Sequence, residues 1–332
     1  MVNIHSKSMY IFYKKYAKNI QLIFAKHSLL FFCFACIPAE QNELLVKGIE
    51  SYDNEQYRTA ITYFSEAIEG DPANAELYFY RARSKMQLDS CGHAIEDYSR
   101  AILLDKTKDV YFINRGLAYI SCQRYFEAIL DFDYAEFLDS SNALIYFNRA
   151  YAKESIDDYS GAIEDYTTAI SFDSTNYKFY MNRGLLYSFI GESQKAIEDF
   201  SSAIYFDQEN ILAYKDRADE YFKQGDLAAA IADYSSALNL QPGNIELYYS
   251  RAEAKLGRNE FLAAAVDYTY IISLDSADAT AFYNRGICYA SLNIKVSACD
   301  DFKKAGELGL FEAYQVIKDY CEVDENSKSK KK

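Results

Sequence analysis

The sequence predicts an all-α fold, a solenoid of helix-turn-helix repeats, because one residue pattern recurs with a strict period of 34 residues and fits eight times without a gap. Units with a fixed period of this length bury their apolar faces only against their neighbours. We number the places within each unit from 1 to 34. The predicted units are 41–74, 75–108, 109–142, 143–176, 177–210, 211–244, 245–278 and 279–312.

The interior of each unit is marked by small residues that face a large one. Place 8 holds Gly or Ala, place 20 holds Ala and place 24 holds Phe or Tyr in all eight units, and place 27 is Ala in seven. In the fifth unit these residues are Gly184, Ala196, Phe200 and Ala203. Such spacing indicates two interlocked helices. We expect helix A over places 1 to about 14 and helix B over places about 18 to 31 of every unit.

This pattern resembles the tetratricopeptide repeat (TPR) family over residues 41 to about 312. The resemblance implies a right-handed superhelix whose concave side binds a protein or peptide and is lined by places 2, 5, 6, 9 and 13 of helix A. The family's Pro at place 32 remains only as Pro72 and Pro242, and we expect Asn or Asp at place 34 to cap the next helix instead. The Lys and Asn set with which some relatives hold heat-shock chaperone tails is missing, which excludes that partner.

Two charged places change together along the chain. Place 7 is Arg and place 23 is Asp in the same seven units, whereas the first unit has Lys47 and Tyr63 there. Both places flank the packed faces of their helices, and a partly buried Arg needs a carboxylate partner. We therefore expect an ion-pair ladder; the alternative is a row of Arg side chains offered to an acidic ligand. The Arg residues are Arg81, Arg115, Arg149, Arg183, Arg217, Arg251 and Arg285.

A candidate partner-binding surface lies on helix A of the second to fifth units. Asn recurs at place 6, and its amide suits the backbone of an extended peptide because it both donates and accepts hydrogen bonds. Apolar residues at places 5 and 9 flank it, and we expect all these side chains to lie free of the core, with a basic end of the ligand toward Asp219. The predicted partner-binding residues are Asn114, Asn148, Asn182, Phe147, Tyr151, Leu117, Phe79, Ile113 and Leu185.

Residues 1–39 differ in chemistry from the rest of the chain. They contain five Lys and no Arg, Asp or Glu, and end in an apolar run over residues 29–37 followed by Pro38 and Ala39. The run is too short to span a bilayer unaided, and its flanks match an export signal. Cleavage after Ala39, lipidation of Cys36 and an uncleaved anchor all remain open. Each predicts an exported array, periplasmic or at the cell envelope, in a bacterium.

The net charge and the cysteines limit the kinds of partner and of stabilising site that the chain can have. The net charge is −14, and without the five leader Lys residues it becomes −19, so phosphate backbones and anionic lipid surfaces would repel the array. We expect no nucleic acid, and membrane contact only through a lipid or an uncleaved anchor. The five cysteines after the leader form no CxxC pair and are odd in number, which implies neither a disulfide framework nor a zinc site. Cys288 and Cys299 fall on the two helices of one unit and could approach each other, and a periplasmic location would permit them to oxidise. The alternative is that the cysteines are small residues that pack between helices.

The sequence contains no arrangement typical of an enzyme. His93 is the only His after the leader, and there is no Gly-rich phosphate loop and no spacing of metal ligands. We therefore predict a non-enzymatic scaffold without cofactor or metal. The alternative is a structural subunit that self-associates through the array without a groove ligand.

The C-terminal region is predicted to close the array. An apolar stripe over residues 311–321 is expected to form a capping helix over its open end. Residues 322–332 end in SKSKKK and are expected to be a disordered basic tail.

Overall fold

The computed structural model describes residues 39–322, with side chains from residue 43 onward, and all regular elements in this range are helices. The predicted leader with Cys36 and the predicted tail beyond residue 322 lie outside the described residues. The helices are α1 (Ala39–Asp53), α2 (Tyr57–Gly70), α3 (Ala75–Met86), α4 (Cys91–Leu104), α5 (Asp109–Ser121), α6 (Tyr125–Leu138), α7 (Ala143–Glu154), α8 (Tyr159–Phe172), α9 (Tyr177–Phe189), α10 (Ser193–Phe206), α11 (Ile211–Gln224), α12 (Leu227–Leu240), α13 (Ile245–Gly257), α14 (Phe261–Leu274), α15 (Ala279–Ser291), α16 (Lys295–Glu307) and α17 (Glu312–Val316).

The helices form consecutive antiparallel pairs, and the all-α solenoid is confirmed. Odd-numbered helices α1 to α15 are the A helices and even-numbered helices α2 to α16 are the B helices. The predicted caps are also confirmed, because each Asn or Asp at place 34 accepts a hydrogen bond from a backbone N–H in the first turn of the next A helix. These caps are Asn74, Asn142, Asn176, Asn210, Asn244 and Asp278.

The small residue at place 8 and the aromatic ring at place 24 interlock within every pair. A Cβ atom added to Gly184 would lie 2.9 Å from the Phe200 ring, and one added to Gly48 would lie 2.4 Å from the Phe64 ring. Gly at place 8 always faces Phe at place 24, and Ala always faces Tyr. The close approach of the two helices therefore depends on a matched pair of residues. The pairs are Gly48–Phe64, Ala82–Tyr98, Gly116–Phe132, Ala150–Tyr166, Gly184–Phe200, Ala218–Tyr234, Ala252–Tyr268 and Gly286–Phe302.

The array curves with its A helices on the inner side. Four pairs of neighbouring A helices contact one another more extensively than any neighbouring B helices do; these pairs are α1 and α3, α3 and α5, α5 and α7, and α9 and α11. The A helices thus line the concave face and the B helices form the convex face. No helix within residues 39–322 is long and apolar enough to cross a bilayer.

The Arg–Asp ladder is confirmed, and it also joins neighbouring units. In all seven units Arg donates through Nε and Nη2 to both carboxylate oxygens of the Asp at place 23 of its own unit, at 2.7–3.1 Å. These Asp side chains are buried. In six units Nη1 donates to the hydroxyl at place 25 of the preceding unit, at 2.8–3.2 Å. In the fourth unit Arg149 instead contacts Asp133 and Glu136.

Disulfide bonds join Cys91 to Cys122 and Cys299 to Cys321, although the number and spacing of the cysteines had implied no disulfide framework. The first bond links α4 of the second unit to the end of α5 of the third, and the second links α16 to the segment after the last unit. Both bonds cross the boundary of a unit, and the residue spacing within one unit does not predict which residues meet across such a boundary. Cys288 is buried and forms no disulfide, so the oxidation of Cys288 with Cys299 that the sequence left open does not occur; Cys299 pairs with Cys321 instead.

The segment after the eighth pair is helical but shorter than predicted as an α-helix. The α-helix ends at Val316, and residues Ile317–Cys321 continue as a π-helix. Ala313 is fully buried against the end of the array, whereas Tyr314 remains 52% exposed. Tyr314 contacts the place where a side chain on Gly306 would lie, at 3.0 Å. The disulfide to Cys299 therefore holds a segment that buries little of its own surface.

Candidate protein-binding groove

The three Asn side chains at place 6 lie on α5, α7 and α9 and have the same local geometry. In each, Nδ2 donates to the backbone carbonyl one turn earlier in the same helix at 2.8 Å. This bond fixes the amide and leaves its carbonyl oxygen and second N–H for a ligand. Asn148 and Asn182 are half-buried, whereas Asn114 is only 9% exposed. The row therefore offers its amides most openly on α7 and α9.

The aromatic residues at place 5 are less free than predicted. Phe79 is only 8% exposed, and its ring centroid lies 5.0 Å from that of Tyr111 in the next A helix. Phe147 is half-buried and has the same 5.0 Å contact with Phe179. The expectation that place 5 lies clear of the core is thus wrong for Phe79. Each ring fills the space between consecutive A helices. A helical projection of one unit does not include the neighbouring unit, so it could not show this contact.

The remaining apolar candidates, Ile113, Leu117, Tyr151 and Leu185, are all half-buried on α5, α7 and α9. Ile113, Leu117 and Leu185 pack against clusters of the core. Burial raises the pKa of the Tyr151 phenol to about 12, so its hydroxyl stays protonated at neutral pH and can donate a hydrogen bond.

The acidic end of the groove is already partly neutralised. Lys215 Nζ lies 2.8 Å from Asp219 Oδ2, and the Tyr234 hydroxyl donates to Asp219 Oδ1 at 2.5 Å. The expectation that Asp219 attracts a basic end of the ligand therefore loses its support. Glu246 and Glu253 on α13 remain exposed nearby.

Two groove residues were missed although their places belong to the concave set. Val110 at place 2 is 39% exposed and Phe189 at place 13 is 50% exposed. Val110 also supplies the carbonyl that orients Asn114. Exposed apolar side chains at places already assigned to the groove were a sufficient signal.

The groove has a mixed polar and apolar lining. It combines fixed amides with half-buried apolar side chains on three consecutive A helices. Within residues 39–322 no group of three or more His, Cys, Asp or Glu side chains is placed to hold a metal ion. His93 is exposed on α4, with Nδ1 3.1 Å from the Ser90 hydroxyl.

Family models match three stretches of the chain. A model described as TPR repeat matches residues 218–257, and two described as tetratricopeptide repeat match residues 45–108 and residues 143–176 and 177–210. Among curated relatives, the chain is 30% identical over 87 residues to Protein SGT1 homolog of Oryza sativa subsp. japonica, covering 26% of this chain and 24% of that protein. It is 36% identical over 64 residues to Serine/threonine-protein phosphatase 5 of Homo sapiens, covering 19% and 13%. The chain thus matches less than a quarter of either relative.

Solved structures share the fold at low identity. The C-terminal part of a TPR repeat-containing protein from Cytophaga hutchinsonii superposes with a TM-score of 0.63 at 18% identity, covering 72% of this chain and 98% of that one. Pseudomonas aeruginosa pilF gives a TM-score of 0.55 at 17% identity, covering 64% and 97%. These similarities establish the architecture alone.

Proposed function

Because this chain is built of tetratricopeptide repeats, we propose that it is a non-enzymatic scaffold at the cell envelope that holds an extended segment of a partner protein in its concave groove. The observation that carries the proposal is the row of amides on α5, α7 and α9, each fixed by a 2.8 Å bond to its own helix. An amide fixed in advance loses little conformational entropy when a ligand binds.

The ligand backbone would follow the A helices. The carbonyl oxygens of Asn148 and Asn182 would accept from its N–H groups, and its apolar side chains would contact Leu117, Tyr151 and Leu185. Asn114 and Phe79 are too buried for a leading role and would support the groove wall.

The disulfides support the exported location. Structural disulfides persist in oxidising compartments such as the periplasm and are rare in the cytosol. Two bonds among residues 39–322, together with the basic and then apolar leader, favour export over a cytoplasmic site. Lipidation at Cys36 would hold the array at the membrane while its acidic body stays off the surface.

The groove is tested by removing two amides that each hydrogen-bond to the backbone of their own helix. We expect Asn148→Ala with Asn182→Ala to weaken partner binding by about 2 kcal/mol, because two central hydrogen bonds are lost. The partner is identified from an envelope extract by crosslinking, and a synthetic peptide of its contact segment is titrated by calorimetry. The melting temperature should stay nearly unchanged.

Asn239→Ala on the exposed surface of α12 is the matched control and should leave the affinity unchanged. Equal binding by the double variant and the wild type would refute the groove. Capture of nothing but further copies of the chain would favour the self-associating subunit.

A further inference from the structure

The convex face of the described array carries one continuous apolar stripe, on α6. Phe126, Leu130, Tyr134 and Phe137 occupy places 18, 22, 26 and 29 of the third unit, which lie on one side of the helix. They are 69%, 68%, 40% and 80% exposed. No other B helix within residues 43–322 has large apolar side chains at all four places. An exposed apolar patch of this kind on a soluble domain marks a contact site.

The carboxylates beside the stripe are already paired within the chain. Glu127 lies 2.8 Å from Arg124, Asp133 lies 2.7 Å from Arg149, and Glu136 also contacts Arg149. Arg149 is the one ladder Arg that reaches carboxylates instead of a hydroxyl in the unit before. This exception neutralises the flank of the stripe, so a second apolar surface can approach α6 without meeting an unpaired carboxylate there.

The neighbouring helix α4 has opposite charges at the places of Leu130 and Tyr134. Glu96 stands at place 22 and Arg100 at place 26, and both are exposed. Neither forms an ion pair with another described residue. Beside the apolar stripe the array thus offers one exposed anion and one exposed cation, one helical turn apart.

These charges decide how two α6 stripes can meet. When two copies are related by a two-fold axis that makes their α6 helices antiparallel and passes between Leu130 and Tyr134, each α4 faces the other α4. Glu96 then lies opposite Arg100 of the second copy, on both sides of the axis. When the α6 helices are parallel instead, α4 faces α8, and Glu96 meets Glu164 at the same place. Charge complementarity therefore favours the antiparallel pair.

The exposed area is that of a stable dimer. With about 200 Å² for each large side chain, the exposed fractions of the stripe amount to roughly 500 Å² per copy. Two stripes together bury roughly 1,000 Å² of apolar surface, and if about 60% of the interface is apolar the total is roughly 1,700 Å². Two convex faces touch over only a few helices, which is the extent of the stripe with its charged rim on α4.

We propose that two copies of this chain form a two-fold dimer through antiparallel α6 helices. Phe126 packs against Phe137 of the second copy, and Glu96 pairs with Arg100 of the second copy. Such a contact is isologous, so it closes at two copies. The stripe lies on a B helix and the groove on A helices, so the dimer presents two open grooves and does not depend on the proposed function.

The stripe is tested by sedimentation velocity of the purified chain over a range of concentrations. The wild type should show a reversible dimer and no larger species. Phe126→Glu with Leu130→Glu should be monomeric at the same concentrations, with a circular dichroism spectrum like the wild type. Arg58→Glu with Thr62→Glu is the matched control, since it places two Glu residues at the same exposed places of the first unit and should still dimerise.

The orientation is tested by exchanging the charges on α4. Glu96→Arg alone brings like charges together in the antiparallel dimer and should raise its dissociation constant about tenfold. Glu96→Arg with Arg100→Glu exchanges the two charges and should restore the wild-type value. A tighter dimer in Glu96→Arg would indicate the parallel arrangement and overturn the proposal. A wild-type chain that is monomeric at every concentration, or a stripe variant that still dimerises, would also overturn it.

Discussion

Among single residues, the Arg at place 7 does most to join the units. Its guanidinium bonds a buried carboxylate in its own unit and, in six units, a hydroxyl in the unit before. In the second, fourth and seventh units a Lys at place 11 adds a second cation to the same carboxylate, at 2.6–2.8 Å. Burying these ions removes their hydration, which offsets much of the attraction between them, so the net stability that each pair contributes is small. Removing one partner leaves the other ion buried and uncompensated, and this should lower the stability by more than the pair contributes.

Arg183→Leu should lower the free energy of unfolding by about 1–3 kcal/mol, because it leaves Asp199 buried without its partner and releases Thr167. Chemical denaturation measures the loss. Adding Asp199→Leu removes the stranded charge and should restore part of the stability. If the double variant is less stable than Arg183→Leu, the explanation by an uncompensated charge fails.

The same variant has a predicted pH dependence. Burial raises the pKa of the Asp199 carboxyl, opposed by its bond to Arg183, so loss of Arg183 should raise this pKa further. A carboxyl with a raised pKa in the folded state contributes stability that is present at low pH and is lost as pH rises through that pKa. The deficit of Arg183→Leu should therefore shrink between about pH 7 and about pH 4. A deficit independent of pH would contradict this account.

Gly184→Ala should cost about 1–3 kcal/mol, since the added Cβ would lie 2.9 Å from the fully buried ring of Phe200. Adding Phe200→Tyr recreates the Ala–Tyr pair found in four other units and should recover part of the loss. Thermal unfolding of the two single variants and the double variant gives the coupling energy. Additive effects would show that the pairing of residue types has no energetic basis.

At the scale of helices, the weakest element is the segment after the last unit. It covers only residues 312–321, and a disulfide links it to α16. Closing a loop of 22 residues contributes about 3 kcal/mol in the chain-entropy view. Its attachment therefore depends on the bond more than on packing.

Cys299→Ser with Cys321→Ser should detach this segment. Hydrogen exchange is expected to speed up over residues 312–321 while the helices before α16 keep their protection. Cys91→Ser with Cys122→Ser is the matched control and should loosen the junction of α4 and α5 instead. Unchanged exchange in the first variant would mean that packing alone holds the segment.

Elements and pairings within a unit could be predicted because they repeat. Period, caps, the contact of Gly184 with Phe200 and the ladder all follow from residues that recur at fixed places. The side-chain contacts between neighbouring units could not be predicted in this way. The burial of Phe79 and the Cys91–Cys122 bond arise where one unit meets the next, and one helical projection does not contain that neighbour. The Ser or Thr at place 25 recurs in six units and was the readable sign of such contacts.

At the scale of the whole molecule, the oxidation state of the cysteines depends on the compartment in which the chain folds. An exported chain cleaved after Ala39 contains five cysteines, four of them in disulfides. Cys288 is fully buried, and burial raises the pKa of its thiol to about 11, which makes it unreactive in the folded chain.

Thiol titration of protein isolated from its native host should therefore find no reactive thiol in the folded protein and one in the denatured protein. N-terminal analysis of the same protein should find a start at Glu40 or a modified Cys36. Seven thiols in the denatured protein, with the leader and its Cys33 and Cys36 intact, would contradict export. Loss of fatty-acid labelling in Cys36→Ser would identify lipidation.

Because the ladder repeats in the same form, a whole unit could be removed or duplicated without changing the contacts that the ladder makes. Every joint consists of an Arg in one unit and, with one exception, a hydroxyl in the unit before. Within the ladder, excising residues 177–210 would bring Arg217 from the Ser201 hydroxyl to that of Thr167 and leave the Arg–Asp pair of every remaining unit intact, whereas excising half a unit would break a pair. The chain is thus built to lengthen or shorten by modules of 34 residues, and duplication or loss of one module changes the reach of the groove without requiring a new joint.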